Sequence, residues 1–449
     1  MARRLLRAAL ALGGIALITL LLFEVALRLV PSAIPTAMLA KFHPALRETI
    51  AETRGLRTRS AQAATSLERA EGGPAFGPYP PNQQAGAQAD EVDKLHGASE
   101  SVITDGRGFC NPPDTPLGET LVIGDSFVWC QNLAIDQTWS RHLGRALGGP
   151  VYNAGIPGIG LYEYNDILRW LLRDATPKRV IVSVYGGNDL RDAIRFVEWH
   201  ERQERLRQAG SEDGAADTTD TRASTAPVDD VVPATCAGDP GIDLSARSGL
   251  GLAYYHLIES SWLGCVSYAV NTLGTAALQL RQGVKQADGP SNDFRYTITH
   301  RGEPVPFNIH SGDTNEIWHG RDLAEGRRDL SLWRPALEAF RALARERGFQ
   351  PALIYIPSAF RVYPTEFATP EIGAAVNGLH ETQARYLLDW GAETGVPVLD
   401  LTAGLRQAAA ESEALLYFPA NVHLTPAGGA VVGQLVADWM KAEGLAGTP

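Results

Sequence analysis

Hydrophobic and polar positions along this chain alternate between short apolar runs and longer stretches of helical spacing. Thr120 to Ile123, Val151 to Asn153, Arg179 to Tyr185, Ala352 to Pro357 and Val396 to Asp400 are short runs of β-branched and aliphatic residues. Runs of this kind, bounded by turn-forming residues, read as buried strands. Between them, Trp139, Leu143 and Leu147 are four apart, and Tyr164, Ile167, Leu168 and Leu171 keep a helical period. Trp333, Leu337, Phe340 and Ala344 share one helix face that ends at Gly348, and a long helix is expected around Val376 to Thr394. Thr425 and Pro426 open a last helix as cap and first position, with Val432, Leu435, Val436 and Trp439 on its buried face. Five strands with intervening helices predict an α/β fold, a three-layer α/β/α sandwich around a five-stranded parallel sheet.

The alternation breaks in three places. At the N-terminus Arg3, Arg4 and Arg7 precede an uncharged run from Ala8 to Phe23, and apolar character continues past Glu24 and Arg28 to Val30. A basic start, an apolar core and no small-x-small cleavage site after Phe23 predict an uncleaved signal-anchor, an N-terminal transmembrane helix over residues 1–30. The positive-inside rule then places the N-terminus in the cytoplasm and the main domain outside, in a periplasm, as a single-pass inner-membrane protein. Residues 31–118 lack periodicity and are rich in Ala, Gly, Pro and Gln between 61 and 101, the composition of a linker or extended arm. An insertion at about 191–329 interrupts the domain that runs from 119 to 445. Its acidic, Thr/Ala-rich part at 210–237 cannot bury enough apolar surface to offset ordering entropy and is expected to be disordered. Leu252 to Leu280 is apolar enough for a helix or helical hairpin, a lid over a substrate cleft.

Composition narrows the function classes. The chain has 449 residues, 45% of them hydrophobic, and a net charge of −11, which argues against a general nucleic-acid binder. There is no zinc-type Cys/His spacing and no Walker-type loop, so neither a metal nor another cofactor is expected. The four cysteines, Cys110, Cys130, Cys236 and Cys265, form an even set that suggests disulfides in an exported domain. The pairs closest in sequence are Cys110–Cys130 and Cys236–Cys265.

The candidate chemistry starts at Gly124-Asp125-Ser126, directly after the first strand of the alternating region. A serine at the C-terminal end of a parallel strand sits where α/β proteins place their ligands, at a helix start whose free N–H groups stabilise negative charge. An ordinary N-cap serine would share that placement. Three further blocks set this one apart: Asn153-Ala-Gly155-Ile-Pro-Gly158, Gly186-Gly187-Asn188-Asp189, and Asn421-Val-His423-Leu-Thr-Pro-Ala-Gly428. The order Ser, Gly, Asn, His resembles the SGNH, or GDSL, hydrolase superfamily over roughly residues 120–439, apart from the insertion.

The resemblance implies a flavodoxin-like SGNH hydrolase fold and a serine esterase. Ser126 would be the nucleophile and His423 its base. The oxyanion would be held by the Ser126 and Gly158 backbone N–H groups and the Asn188 amide, Gly158 matching the family position better than Gly155. Asp125 and Asp189 are expected to bond turn backbones. One departure stands out: the family's aspartate two or three residues before the histidine is replaced by Ala420 and Asn421. Three readings stay open: a dyad with Asn421 as orienter, a carboxylate supplied from elsewhere such as the insertion, or a weak or dead site. The expected function is a membrane-anchored hydrolase acting on O-acyl esters of envelope glycans or lipids. A glycan O-acyltransferase would use the same site, and a non-catalytic glycan-binding or assembly protein is the alternative from another class.

Overall fold

A computed structural model describes residues 2–34, 84–86, 89–198, 255–259, 261–287, 294–308 and 315–446, with isolated positions between these spans. Two compact units divide the chain, residues 67–197 with 292–449 and residues 1–66 with 198–291. The strands among the described residues are β1 (Gln84–Gly86), β2 (Ser101–Ile103), β3 (Thr120–Ile123), β4 (Val151–Asn153), β5 (Arg179–Tyr185), β6 (Phe294–His300), β7 (Glu303–Asn308), β8 (Gln350–Ile356), β9 (Thr365–Phe367) and β10 (Val398–Asp400).

The larger unit is built on the five-stranded sheet β10-β8-β5-β3-β4, parallel throughout. All four residues of β3 and all seven of β5 are buried, as a strand covered on both faces requires. Alternate side chains separate two cores. Leu121, Ile123, Val180, Val182 and Val184 face one side, against the helices Leu161–Leu171 and Arg334–Arg347 and most of Pro370–Thr394. Val122, Ile181 and Tyr185 face the other, against Trp139–Leu147, Thr402–Glu411 and Pro426–Ala442. The predicted α/β/α sandwich is present. Thr425 caps the last helix as expected, its side chain accepting from the Gly428 N–H at 3.1 Å.

Sheet order places the site. In chain order the five strands run 2-1-3-4-5 across the sheet, the flavodoxin-like arrangement. The direction of winding reverses between β3 and β5, so a crevice opens outside their carboxyl ends. Ser126 follows β3, and Asn188 follows β5.

Several expectations change. Residues 89–118 are not a free linker: they belong to the larger unit and are bonded to it. Tyr152 Oη donates to Asp105 Oδ2 (2.8 Å), and Asn111 exchanges bonds with the backbone of Asn153 (2.9 and 3.0 Å). The insertion is not one excursion either. Its end, β6, β7 and the helix Asn315–Ala324, belongs to the larger unit, where β7-β6-β9 form an antiparallel sheet. The apolar stretch near 252–280 is broken into Tyr255–Glu259, Trp262–Val266 and Tyr268–Ala287. The segment 210–237 and Cys236 lie outside the described residues.

The N-terminal helix forms over Ala2–Leu29, but the predicted transmembrane span is not seen: among the described residues no helix is long and apolar enough to cross a membrane. The uncharged run holds 16 residues, which at 1.5 Å per residue reaches about 24 Å, less than a hydrocarbon core of about 30 Å. Within the smaller unit, Glu24 pairs with Arg28 (2.7 Å) and accepts from Ser267 Oγ (2.8 Å) and the Ala269 N–H (2.8 Å) at the start of the helix Tyr268–Ala287.

Candidate active site

Ser126 lies in the turn that ends β3, and its placement is set by Asp125. The Asp125 carboxylate accepts from the Phe127 N–H (2.9 Å), while its carbonyl accepts from the N–H groups of Val128 (3.2 Å) and Trp129 (3.0 Å). Burial pushes the Asp125 carboxyl up to about 7, nearby Asp192 adds to this, and the Phe127 N–H and the Asn188 amide pull it back. The Cys110–Cys130 disulfide closes this loop from behind, with Trp129 packed beside it. A bridge across a sequence separation of 20 constrains the unfolded chain by about 3 kcal/mol. Cys265 is also disulfide-bonded.

His423 reaches Ser126 from the far end of the chain: Nε2 stands 2.7 Å from Ser126 Oγ. Both side chains are buried but not sealed off, with residue exposures of 8% for Ser126 and 7% for His423. Phe127 is stacked between the imidazole (4.7 Å between centroids) and Tyr185 (3.7 Å), which fixes the ring plane. The other ring nitrogen, Nδ1, is 2.8 Å from the backbone carbonyl of Asn421. A carbonyl can only accept, so Nδ1 carries the hydrogen and Nε2 is left to accept from Ser126.

The orienting group is therefore not the Asn421 side chain. That side chain accepts from the His423 N–H (3.1 Å) and donates to Asn132 Oδ1 (2.8 Å), bracing the turn against the nucleophile loop. Asn421→Ala is accordingly expected to keep turnover within about tenfold of the parent, because the carbonyl acceptor survives. A side-chain orienter would cost about 10⁴. Steady-state kinetics on a chromogenic ester separates the two.

An acid on the histidine turn is Asp93, fully buried in the short helix Glu91–Lys94. Its two oxygens accept from the Ala420 N–H (2.9 Å) and the Asn421 N–H (3.0 Å). Burial raises its carboxyl to about 6 against the pull of those two N–H groups. Sequence reading missed it because Asp93 lies in an acidic stretch without motif or period, 330 positions before His423.

The two glycines of the second block differ in role. At Gly155 a Cβ would lie 2.4 Å from the Trp129 nitrogen, so that glycine permits close packing against the nucleophile loop. Gly158 has open space around it but a φ of +77°, a backbone turn that favours glycine. Arg195 Nη2 donates to its carbonyl (2.7 Å). Asn188 is buried and donates one amide hydrogen to Asp192 Oδ2 (2.9 Å), and Arg195 and Arg191 pair with the other Asp192 oxygen. Asp192 and Arg195 thus tie the Asn188 amide to the Gly158 turn. Asp189 accepts from the Tyr185 N–H and from Tyr164 Oη (2.7 Å), a role in the turn and not at the histidine.

A small cavity of about 230 Å³, part of it open to solvent, adjoins Ser126 and His423. Phe127, Trp129, Leu133 and Leu424 give it apolar walls, with Gln131 and Thr138 as its other polar lining residues. Among the described residues no cluster of His, Cys, Asp and Glu could hold a metal ion. A hydroxyl with a base on one side, and the base held in the correct tautomer, can attack an acyl carbon.

No family model matches the chain, and no curated protein matches it in sequence. Among solved structures it is similar to a protein of the G-D-S-L family from Desulfitobacterium hafniense DCB-2, 12% identical, covering 72% of this chain and 99% of that one with a TM-score of 0.31. A second solved structure is 15% identical and covers 73% of this chain and 99% of its own, with a TM-score of 0.26. The chain has the flavodoxin-like sheet order, with a serine after the first strand of that sheet and a histidine turn before its last helix.

Proposed function

We propose that this protein is a serine esterase of the SGNH type, in which Ser126 attacks an acyl ester and His423 takes its proton. The single observation that carries the reading is the 2.7 Å contact between Ser126 Oγ and His423 Nε2, with Nδ1 anchored on a carbonyl. Attack forms a bond from Oγ to the acyl carbon, and the proton passes to Nε2. The Ser126 and Gly158 N–H groups and the Asn188 amide stabilise the oxyanion. Collapse expels the alcohol, which takes the proton from Nε2, and leaves an acyl-serine. Water then hydrolyses that intermediate, or a second hydroxyl accepts the acyl group.

O-acyl groups of envelope glycans or lipid esters are the substrate class proposed. The disulfides suit an oxidising compartment. With Arg3, Arg4 and Arg7 ahead of an uncharged run, they support a protein working outside the cytoplasm. The non-catalytic alternative draws its support from the missing aspartate; the carbonyl of Asn421 supplies an orienting acceptor in its place and so supports the catalytic reading. The test is to mix the protein with an activated acetyl ester, quench in acid and map the adduct by mass spectrometry. An acetyl group on the Ser126 peptide is expected. Turnover with no adduct there, or a folded protein with neither, sinks the reading. Release into water or onto an added sugar hydroxyl distinguishes esterase from transferase.

A further inference from the structure

We propose that Asp93 is the positioning carboxylate of this site, acting on the histidine through the backbone of the turn that carries it. The inference rests on the reading of Ser126 and His423 as nucleophile and base, and makes the arm before β3 a working part of the active site.

The turn needs an external hold. Val422, between Asn421 and His423, has a φ of +62°, a left-handed conformation that is a genuine outlier for a β-branched residue. That conformation brings the Asn421 carbonyl back onto His423 Nδ1 at 2.8 Å. A relaxed Val422 would rotate the carbonyl away and leave Nδ1 without its acceptor. The turn is closed on its own side by Val422 N–H to the Phe418 carbonyl (3.0 Å) and Phe418 N–H to the His423 carbonyl (2.7 Å). On the other side two successive N–H groups, of Ala420 and Asn421, each meet one oxygen of Asp93.

The chemistry of that clamp calls for a carboxylate. Two neighbouring donors need two acceptor atoms on one short side chain, and an ionised carboxylate offers both. An amide offers one and turns an N–H toward the other donor. Asp93 also brings a negative charge to the turn on which the imidazolium develops, something neutral Asn421 does not supply. Its own place is fixed on both loops of the site. The Asp90 side chain caps the helix by accepting from the Val92 N–H (2.9 Å), and the Ser99 N–H donates to the Asn132 carbonyl (2.7 Å) on the nucleophile loop. Asn132 in turn accepts from Asn421.

The experiment compares the full-length protein with Asp93→Asn. Turnover of a chromogenic acetyl ester is measured per active site, counted with a fluorophosphonate, and the low-field His423 Nδ1–H resonance is followed by NMR. A fall in kcat of about 10- to 100-fold is expected, with KM little changed and the resonance lost or shifted upfield. An unchanged kcat per titrated site with an unmoved resonance overturns the proposal, even when the melting temperature falls, because the role is then only structural. Should Asp93→Asn fail to fold, Asp93→Glu takes its place. It keeps the charge and moves the oxygens, so a smaller fall in kcat with a shifted resonance supports the proposal, and parental values of both overturn it. The resonance does not depend on turnover. If the parent is inactive but its resonance disappears in Asp93→Asn, the positioning stands and the esterase reading alone fails.

Discussion

Ser126→Ala is expected to lose ester turnover by about 10⁴-fold or more and to lose fluorophosphonate labelling altogether, while its melting temperature stays close to that of the parent. The size follows from the covalent route: without Oγ no acyl-enzyme forms, and only binding and the oxyanion donors remain to assist water. The small effect on stability follows from the contacts. Ser126 Oγ bonds His423 at 2.7 Å and approaches Asp125 at only 3.5 Å, while the turn is held by the Asp125 carboxylate on the Phe127 N–H. Removing the hydroxyl leaves His423 stacked on Phe127 and anchored on the Asn421 carbonyl. Turnover that persists in a folded Ser126→Ala protein would place the chemistry elsewhere.

Asn188→Ala is expected to lower kcat by about 10²–10³ with a much smaller change in KM, the cost of losing one donor to a developing oxyanion. The amide is well prepared for that task. It follows β5 at the point where the winding of the sheet reverses, it is buried, and one of its hydrogens is fixed on Asp192 at 2.9 Å. That bond, together with the hydrogen bond from the amide to the Asp125 carboxylate, sets the plane of the amide beside Ser126. An equal fall in kcat and in the binding of a ground-state substrate analogue would show instead that Asn188 shapes the pocket. Single-turnover kinetics on the variant, with the analogue as competitor, reads the difference.

Much of the fold was legible in the chain because its signals are local. The runs that became β3, β5 and β8 are apolar without alternation, as strands covered on both faces must be, and the helices between them carry a clear period. Thr425-Pro426 named a helix start because cap and first position have distinct chemical requirements. The stretch before β3 reads as a linker or extended arm, and its anchoring to the sheet was not legible. Its anchoring rests on single polar contacts, such as Asp105 with Tyr152 and Asn111 with Asn153, and those leave no periodic trace. The strands β6, β7 and β9 were missed for a related reason: β7 carries Pro304 and Pro306 in six residues, and prolines argue against a strand. The sheet β7-β6-β9 accepts them on an edge strand, which only the order of the strands reveals.

By itself, the sequence singled out the candidate residues: the order Ser126, Gly158, Asn188, His423 resembles the SGNH pattern, and the roles expected of Gly158 and Asn188 rest on that resemblance. Among three possible pairings it favoured Cys110–Cys130 as neighbours in sequence, the bridge that the structure forms. It could not say what orients the imidazole. The family's aspartate is absent, and the group in its place is a backbone carbonyl, which every residue possesses and no sequence can distinguish. Only the tertiary structure decided this, by holding Val422 in a left-handed turn and seating Asp93, 330 positions from the histidine, on the two N–H groups before it. A buried acid finds its donors through space, and chain distance carries no information about that contact.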